Sequence, residues 1–350
     1  MGHIIGIDVA SEVCSVAVMN QAGKLIMNTR VATSESNLRE LVKSVKRPRQ
    51  VVFEECGQAA WLYTVFEPLS DDVFVCNPKK NRDLSGHSKS DDNDALNLAE
   101  RARLGALSRV WHGGKSLQAL RERLRDYQSL TSESTALKNK IKAVFRNRGI
   151  VVGSKAYVPD SRIEVVKSLP HQALRKRVCH LGEVLDVVTR QRTDAEKELV
   201  QVARKSPMFN SLTSMPRVGD ILGSTILAEV GTPDRFRTRK QFWTYIGLAV
   251  TTFETSQFYT DERNFIRKKE RKTRTHGLVN QYNRSLKYVF KHVALDLSRF
   301  DWRKEFVRLQ KSGVVEANAR LTLARKAAAI ALRLMKTGEL YDEALVFAQK

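Results

Sequence analysis

Cysteine is scarce in this sequence and nowhere arranged to bind: Cys14, Cys56, Cys76 and Cys179 form no Cys-x-x-Cys pair. They sit mainly in apolar patterns, as small core residues of a reducing compartment do, which argues against a disulfide framework or a zinc site. No apolar stretch approaches the roughly 20 residues needed to span a bilayer, so no membrane role is expected. A basic leader is missing as well, because the chain runs from Met1 almost at once into a strand pattern; the expectation is a soluble, cytoplasmic protein. Acid is the next shortage: 38 Asp and Glu stand against 60 Lys and Arg, a formal net charge of +22. The shortage is uneven. Residues 1–100 hold 11 basic and 14 acidic residues, whereas residues 101–350 hold 49 and 24. A near-neutral first part followed by a strongly cationic remainder points to a polyanionic partner, because each neutralised phosphate releases a counterion.

At 350 residues the chain is long enough for two or three domains. Residues 3–9 and 13–19 read as strands, and Gln21-Ala22-Gly23-Lys24 is a turn into a third strand at 25–32. Ser34 to Val45 follows a helix pattern with Ser34 or Ser36 as N-cap, followed by a strand at 50–54, a helix at 58–69 and a strand at 72–76. Three strands in a meander, then helix, strand, helix, strand, is the element order of an α/β RNase H-like (RuvC-like) fold. Actin-like ATPases share that fold, but no second Asp-Gly-Gly phosphate loop follows here.

Within this region four acids form a candidate metal-binding tetrad. Asp8 ends the pattern His3-Ile4-Ile5-Gly6-Ile7-Asp8, and Glu54 ends Val51-Val52-Phe53-Glu54. Asp91 and Asp94 stand three apart where a helix pattern begins, so they share a face. A carboxylate closing a buried strand is costly unless its charge is compensated. Mg²⁺, with Mn²⁺ as the alternative, is held by a few carboxylates plus phosphate oxygens, which makes phosphodiester chemistry the candidate reaction.

Beyond Trp111 the pattern becomes helical. Leu117, Leu120, Leu124, Tyr127, Leu137, Ile141 and Val144 keep helical spacing to about residue 148. After a break at 149–160, Leu174, Val178, Leu181, Leu185, Val188, Ala195, Leu199 and Val202 follow the rhythm of a heptad seam. Two long helices around a short break predict an antiparallel coiled-coil arm, with an apolar face left for self-association into a dimer or tetramer. The expected domains are 1–109, 110–205 and 206–350. The last is predicted mainly α-helical, and opens with Leu212–Gly219 ahead of a helix from Asp220 to Glu229. This resembles a helix-hairpin-helix, whose turn aims backbone N–H groups at a phosphate, with Arg217 where such hairpins usually carry glycine and Gly219 closing the turn. Residues 263–274 carry seven basic residues and one acid, with Phe265 and Ile266 interleaved. Arg217 and Gly219 of the hairpin, with Arg263, Arg267, Lys268, Lys269, Arg271 and Lys272, are the candidate nucleic-acid contacts.

Taken together, these features resemble the DEDD-type insertion-sequence transposases and the related Piv DNA invertases. The motifs are Gly6-Ile7-Asp8, Glu54-Glu55-Cys56-Gly57, Lys89-Ser90-Asp91-Asp92-Asn93-Asp94-Ala95 and the hairpin at Pro216–Gly219. They continue through Phe236, Gln241 and Gly247-Leu248 to Asn283-Arg284-Ser285-Leu286-Lys287. The resemblance implies a RuvC-like domain, a coiled-coil arm and a C-terminal transposase domain. It further implies Asp8, Glu54, Asp91 and Asp94 as the Mg²⁺ tetrad, with Glu55 and Asp92 as adjacent decoys. A serine nucleophile is implied in a Ser-Gly step eight residues after Gly247. That position is Thr255, followed by Ser256 rather than glycine, and Tyr282 replaces the glycine before Asn283. A primary hydroxyl is less hindered, so Ser256 is the expected nucleophile and Thr255 the alternative.

The expected activity is site-specific DNA strand exchange, in a tetramer that combines a tetrad and a nucleophile from different subunits. The resemblance also implies guidance by a non-coding RNA, bound by backbone and shape. Three rivals use the same features: a RuvC-like nuclease acting through metal-activated water, a Piv-type invertase, and a non-catalytic nucleic-acid scaffold.

Overall fold

The structure, a computed structural model, describes residues 2–78, 91–253, 258–260, 266–268 and 274–344. It divides into two compact units, Met1–Gln118 and Ala119–Lys350.

The first unit is a six-stranded mixed sheet. Its strands are β1 (His3–Asp8), β2 (Val13–Asn20), β3 (Leu25–Ala32), β4 (Arg49–Glu54), β5 (Asp72–Cys76) and β6 (Arg109–Val110), in the order β3-β2-β1-β4-β5-β6. The central β1, β4 and β5 run parallel, and β2, β3 and β6 pair antiparallel with their neighbours. Buried on both faces, β1 and β4 read as continuous apolar runs, whereas edge strand β3 alternates and leaves Leu25 and Ile26 exposed. Ile5, Ile7, Val16, Val51 and Phe53 point to the face covered by α1 (Glu35–Ser44) and α2 (Ala59–Phe66). Ile4, Met19 and Val52 point to the other, where Ala99 of α3 (Asp91–Arg103) meets them. Ser34 caps α1 by accepting from the Asn37 N–H at 3.3 Å.

The second unit contains most of α4 (Lys115–Arg146), then α5 (Pro159–Lys167) and α6 (Gln172–Ala203). α4 and α6 run antiparallel, as two shared clusters show. Leu120 and Leu124 lie with Leu199 and Ala203, while Ile141, Val144 and Phe145 lie with Val178 and Leu185. The helical break expected at 149–160 holds Gly149 in a left-handed conformation and a short 3₁₀ turn over Ser154–Tyr157. At this end Arg162 is buried and forks onto Asp186 at 2.6 and 3.0 Å. Its guanidinium lies against Gly182, where any Cβ would collide with it. Of the heptad positions, Val178, Leu185, Val188, Ala195 and Leu199 are buried by the chain's own helices. The seam read as open for another copy is thus taken up within one chain. Val184 and Val187 remain exposed on α6.

The remainder is α7 (Pro207–Thr213), α8 (Asp220–Val230), α9 (Arg239–Tyr245), α10 (Arg284–Arg299), α11 (Arg303–Lys311) and α12 (Glu316–Thr337). Alanines on α12 (Ala324, Ala327, Ala328, Ala331) are small enough to let it pack closely with α10 in one core with Phe242, Phe290 and fully buried Trp302. Between α9 and α10 the chain forms two antiparallel ribbons that the helical reading did not anticipate. β7 (Val250–Phe253) pairs with β10 (Arg274–Leu278), and β8 (Phe258–Thr260) pairs with β9 (Ile266–Lys268). Among the described residues, no helix is long and apolar enough to cross a membrane.

Candidate active site and nucleic-acid surface

Two candidate carboxylates close adjacent strands. The parallel register of β1 and β4 runs from His3 opposite Arg49 to Ile7 opposite Phe53. Asp8 and Glu54 are the next residue on each strand, so both stand at the carboxyl edge of the sheet, and both are half-buried. α3 is laid across this part of the sheet by a glycine. A Cβ on Gly6 would stand 2.3 Å from the Ala95 carbonyl oxygen and 2.8 Å from the Ala99 amide nitrogen, so the helix backbone rests on β1 at this point. Farther along α3, Ala102 and Arg103 line a cavity with Gly2, His3 and Ile4, at the start of β1. The helix therefore runs against the strand direction, and its first turn, carrying Asp91 and Asp94, faces the edge where Asp8 and Glu54 end. Asp94 is half-buried, and Asp91 is placed by its backbone.

The donor set fits a hard divalent cation, being all carboxylate oxygen from two strand ends and one helix turn. Among the described residues, no group of three His, Cys, Asp or Glu side chains is drawn together closely enough to hold an ion. The Asp91 side chain lies outside that set.

Glu55, next to the candidate Glu54, has a different commitment. Its Oε2 lies 2.6 Å from His112 Nε2, and the imidazole, only 7% exposed, stacks on Tyr63 at 5.4 Å. Burial pushes the Tyr63 phenol and the Cys56 thiol up from their ordinary values. His112 gave no signal in the sequence, because a lone histidine after Trp111 matches no spacing rule.

In the second unit, α7 and α8 are joined by residues 214–219. Among the described residues, Arg217 is the non-glycine residue found at positive φ, +65°, the conformation that glycine would adopt with less strain. Its Nε donates to Asp301 Oδ2 at 2.6 Å, and its guanidinium lies 4.3 Å from the Phe300 ring centre. The side chain read as a phosphate ligand is thus bound to the chain's own α10–α11 turn. Gly219 sits at the N-cap of α8 with open space where a Cβ would stand. Close packing of the two helices rests on Gly223, whose Cβ would meet Thr213 Cγ2 at 2.9 Å.

The Gly247-Leu248 and Asn283–Lys287 motifs meet in space. Gly247 has φ +70°, and a Cβ there would strike the Tyr282 ring. Asn283 caps α10 by accepting from the Leu286 amide at 2.9 Å, and its Nδ2 donates to Glu229 Oε2 at 2.6 Å. The backbone amide of Asn283 donates to the Tyr245 carbonyl at 2.8 Å. Leu248, which accepts from Arg325 Nε at 2.7 Å, leads into β7.

Thr255 and Ser256 lie outside the described residues, as do Arg263, Lys269, Arg271 and Lys272. Arg267 and Lys268 fall on β9, paired in register with Tyr259 and Phe258.

A DEDD-type transposase model of the IS110 family matches residues 5–148, the stretch that contains all four acids. A second model, described as transposase IS116/IS110/IS902 family, matches residues 210–308. The transposase for insertion sequence element IS1111A of Coxiella burnetii is 25% identical over 249 residues, 70% of this chain and 68% of that protein. A probable family 20 transposase of Pseudomonas aeruginosa is 21% identical over 249 residues, 70% and 73% of the two chains. A putative transposase, y4pF/y4sB, of Sinorhizobium fredii is 23% identical over 249 residues, 70% of this chain and 63% of that protein.

Proposed function

Because this chain belongs to the DEDD-type IS116/IS110/IS902 transposases and is a DNA-recombining enzyme, we propose that it exchanges DNA strands at a RuvC-like carboxylate edge. Asp8, Glu54, Asp91 and Asp94 would hold Mg²⁺ there, and a hydroxyl of Ser256, with Thr255 as the alternative, would be the nucleophile. The observation that carries this reading is the convergence of two adjacent strand ends and the first turn of α3 on one edge of the sheet. Bound Mg²⁺ would polarise the scissile phosphate and stabilise the leaving oxygen. The chain's own hydroxyl forms the new O–P bond as the bond to the leaving strand breaks. It gives up its proton, and the leaving oxygen takes one. The product is a protein–DNA phosphoester that conserves bond energy for rejoining.

The basic stretch 263–274 would hold backbone phosphates around this step, and the cationic excess of residues 101–350 supports binding of a guide RNA as well. Arg217 contributes by fixing the hairpin to Asp301 rather than by reaching for phosphate, which leaves the hairpin's backbone amides to meet the ligand. Association of copies through the arm would use the exposed Val184 and Val187, since the heptad seam is filled.

The test is a strand-exchange reaction with Mg²⁺, stopped with denaturant and resolved with and without protease. A protease-sensitive, slow-migrating DNA adduct is expected from the wild type and not from Ser256→Ala. An adduct that persists in Ser256→Ala but disappears in Thr255→Ala moves the nucleophile by one residue. Free nicked ends from both variants, with no adduct, would replace the covalent reading with hydrolysis by water.

A further inference from the structure

The Asn283–Lys287 stretch is only partly used by the fold. Asn283 caps α10, Leu286 is in the core, and the Lys287 ammonium lies 3.8 Å from the Tyr282 ring centre. Arg284 and Ser285 instead line a groove between α4, α8 and α10. The groove encloses ≈ 590 Å³, within the range of about 300–1,000 Å³ common to small-ligand sites. Its walls are largely apolar, with Leu124 and Tyr127 on α4 and Ile221 and Leu222 on α8.

α10 sets the groove's character. Arg284, Tyr288 and His292 recur every fourth residue and so form one stripe along the helix. Tyr288 is 66% exposed, and its ring lies nearly parallel to that of His292, 5.7 Å away at 9°. Burial accounts for the placement of neither ring, yet both are held flat beside an apolar groove. The lining contains Arg284 and His292, the latter with Asp296 Oδ2 3.9 Å from its Nε2 at the far end, and Gln128, Thr131 and Thr225 supply hydrogen-bonding groups. An aliphatic partner would need neither the cation nor the stacked rings. A planar, polar-edged aromatic attached to a phosphate uses all of them: one face for Tyr288, edge atoms for the amide and hydroxyls, and a charge for Arg284.

We propose that this groove receives an unpaired base of the DNA strand under exchange, stacked on Tyr288, with Arg284 at the adjoining phosphate. The proposal rests on the DNA-recombining reading, because strand exchange exposes bases that have lost their partners. It assigns α10 a role that is separate from the carboxylate edge and from the basic stretch 263–274. Stacking on a ring is indifferent to which base arrives. The groove would hold a strand in place without choosing its sequence.

Single-stranded oligonucleotides containing 2-aminopurine test this directly, titrated with the full chain and with Tyr288→Ala and Tyr288→Phe. Stacking changes the probe's emission. Wild type and Tyr288→Phe should both produce the change, whereas Tyr288→Ala should lose it and bind the single strand roughly tenfold more weakly, the value of one stacked base. Affinity for duplex of the same sequence should hold, and so should the salt dependence, because every cationic side chain is still in place. Unchanged emission with Tyr288→Ala would overturn the proposal, as would an equal loss on duplex. A loss confined to structured RNA would overturn the choice of DNA. A change in the sedimentation of the DNA-free protein with Tyr288→Ala would make the groove a protein interface instead. Asp8→Asn separates this proposal from the catalytic reading. It leaves the groove intact, so it should alter the probe's emission as the wild type does, whether or not strand exchange depends on Asp8.

Discussion

The two units carry their candidate groups on different backbones. The first is near neutral and places its candidate groups at the ends of hydrogen-bonded strands, where β1 and β4 fix Asp8 beside Glu54 through a continuous parallel register. The second is strongly cationic and places its groups on helix faces, tight turns and two-stranded ribbons. Carboxylates sharing one small ion would tolerate little displacement, and a central sheet covered on both faces is a stiff support for them. Phosphate contacts act over a Debye length and carry little directional demand, so two-stranded ribbons would be support enough for them. Placement is strict where the chemistry is short-range and looser where it is long-range. In each unit a charged residue beside the candidate group is committed to structure: Glu55 holds His112, and Arg217 holds Asp301.

The largest expected effect would break this contrast outright. Asp8→Ala or Asp94→Ala should lower DNA cleavage by about 1,000-fold or more, the scale of losing several kcal/mol of charge stabilisation. Gel-shift affinity for the same DNA should stay within about twofold, because the cationic unit is untouched. Asp92→Ala should cleave nearly as the wild type does. Should Asp8→Ala cleave normally, or lose affinity in step with cleavage, the division of labour between the units fails.

A smaller effect sharpens the other side. Neutralising Arg267, Lys268, Lys269, Arg271 and Lys272 together should weaken DNA binding broadly, across sequences. It should also flatten the plot of log affinity against log salt by roughly 0.9 for each phosphate that is no longer neutralised. An unchanged slope would mean that this stretch is a solvated surface and that the polyanion is held elsewhere in the unit.

How much of this was legible beforehand follows the same contrast. The five long strands of the first unit fall within a residue or so of the boundaries read from the sequence: buried β1, β2 and β4 leave apolar runs, and turn residues such as Gly23 mark off edge strand β3. Two-residue β6 left no such run. Helix-breaking glycines and Pro159 marked the hinge of the arm, but periodicity alone could not say which apolar face would be covered. α4 covers the seam of α6, a long-range fact about packing. The ribbons were missed because β8 and β9 are three residues each, too short for alternation to emerge from a segment dominated by charge. Arg217 was legible as a position that wants glycine, and its φ of +65° bears out that geometry. Its partners, Asp301 and Phe300, lie too far along the chain for any local pattern to reveal. The Glu55–His112 pair was hidden for the same reason.

The smallest expected effect concerns an acid inside the cationic unit. Glu305 is buried on α11, accepts from Arg308 at 2.7 and 2.9 Å, and lies 3.4 Å from Lys326 of α12. The hydrogen bonds from Arg308 hold its carboxyl below the usual range, outweighing the opposing effect of burial, and Lys326 adds to the lowering. A carboxyl whose folded value is depressed adds stability above its unfolded value of about 4.3, and that contribution disappears as pH falls through the folded value. Glu305→Gln should therefore destabilise the protein by about 1–2 kcal/mol at pH 7, the worth of hydrogen bonds to a charged group. As pH falls below the unfolded value the difference should shrink, because the wild-type carboxyl takes up its proton on passing through the depressed folded value. Urea unfolding of both proteins at neutral and at acid pH measures this. Equal destabilisation at both would show that Glu305 works by shape and packing. A difference confined to neutral pH would show that, within the strongly cationic unit, this acid ties two of the unit's own helices together through its charge.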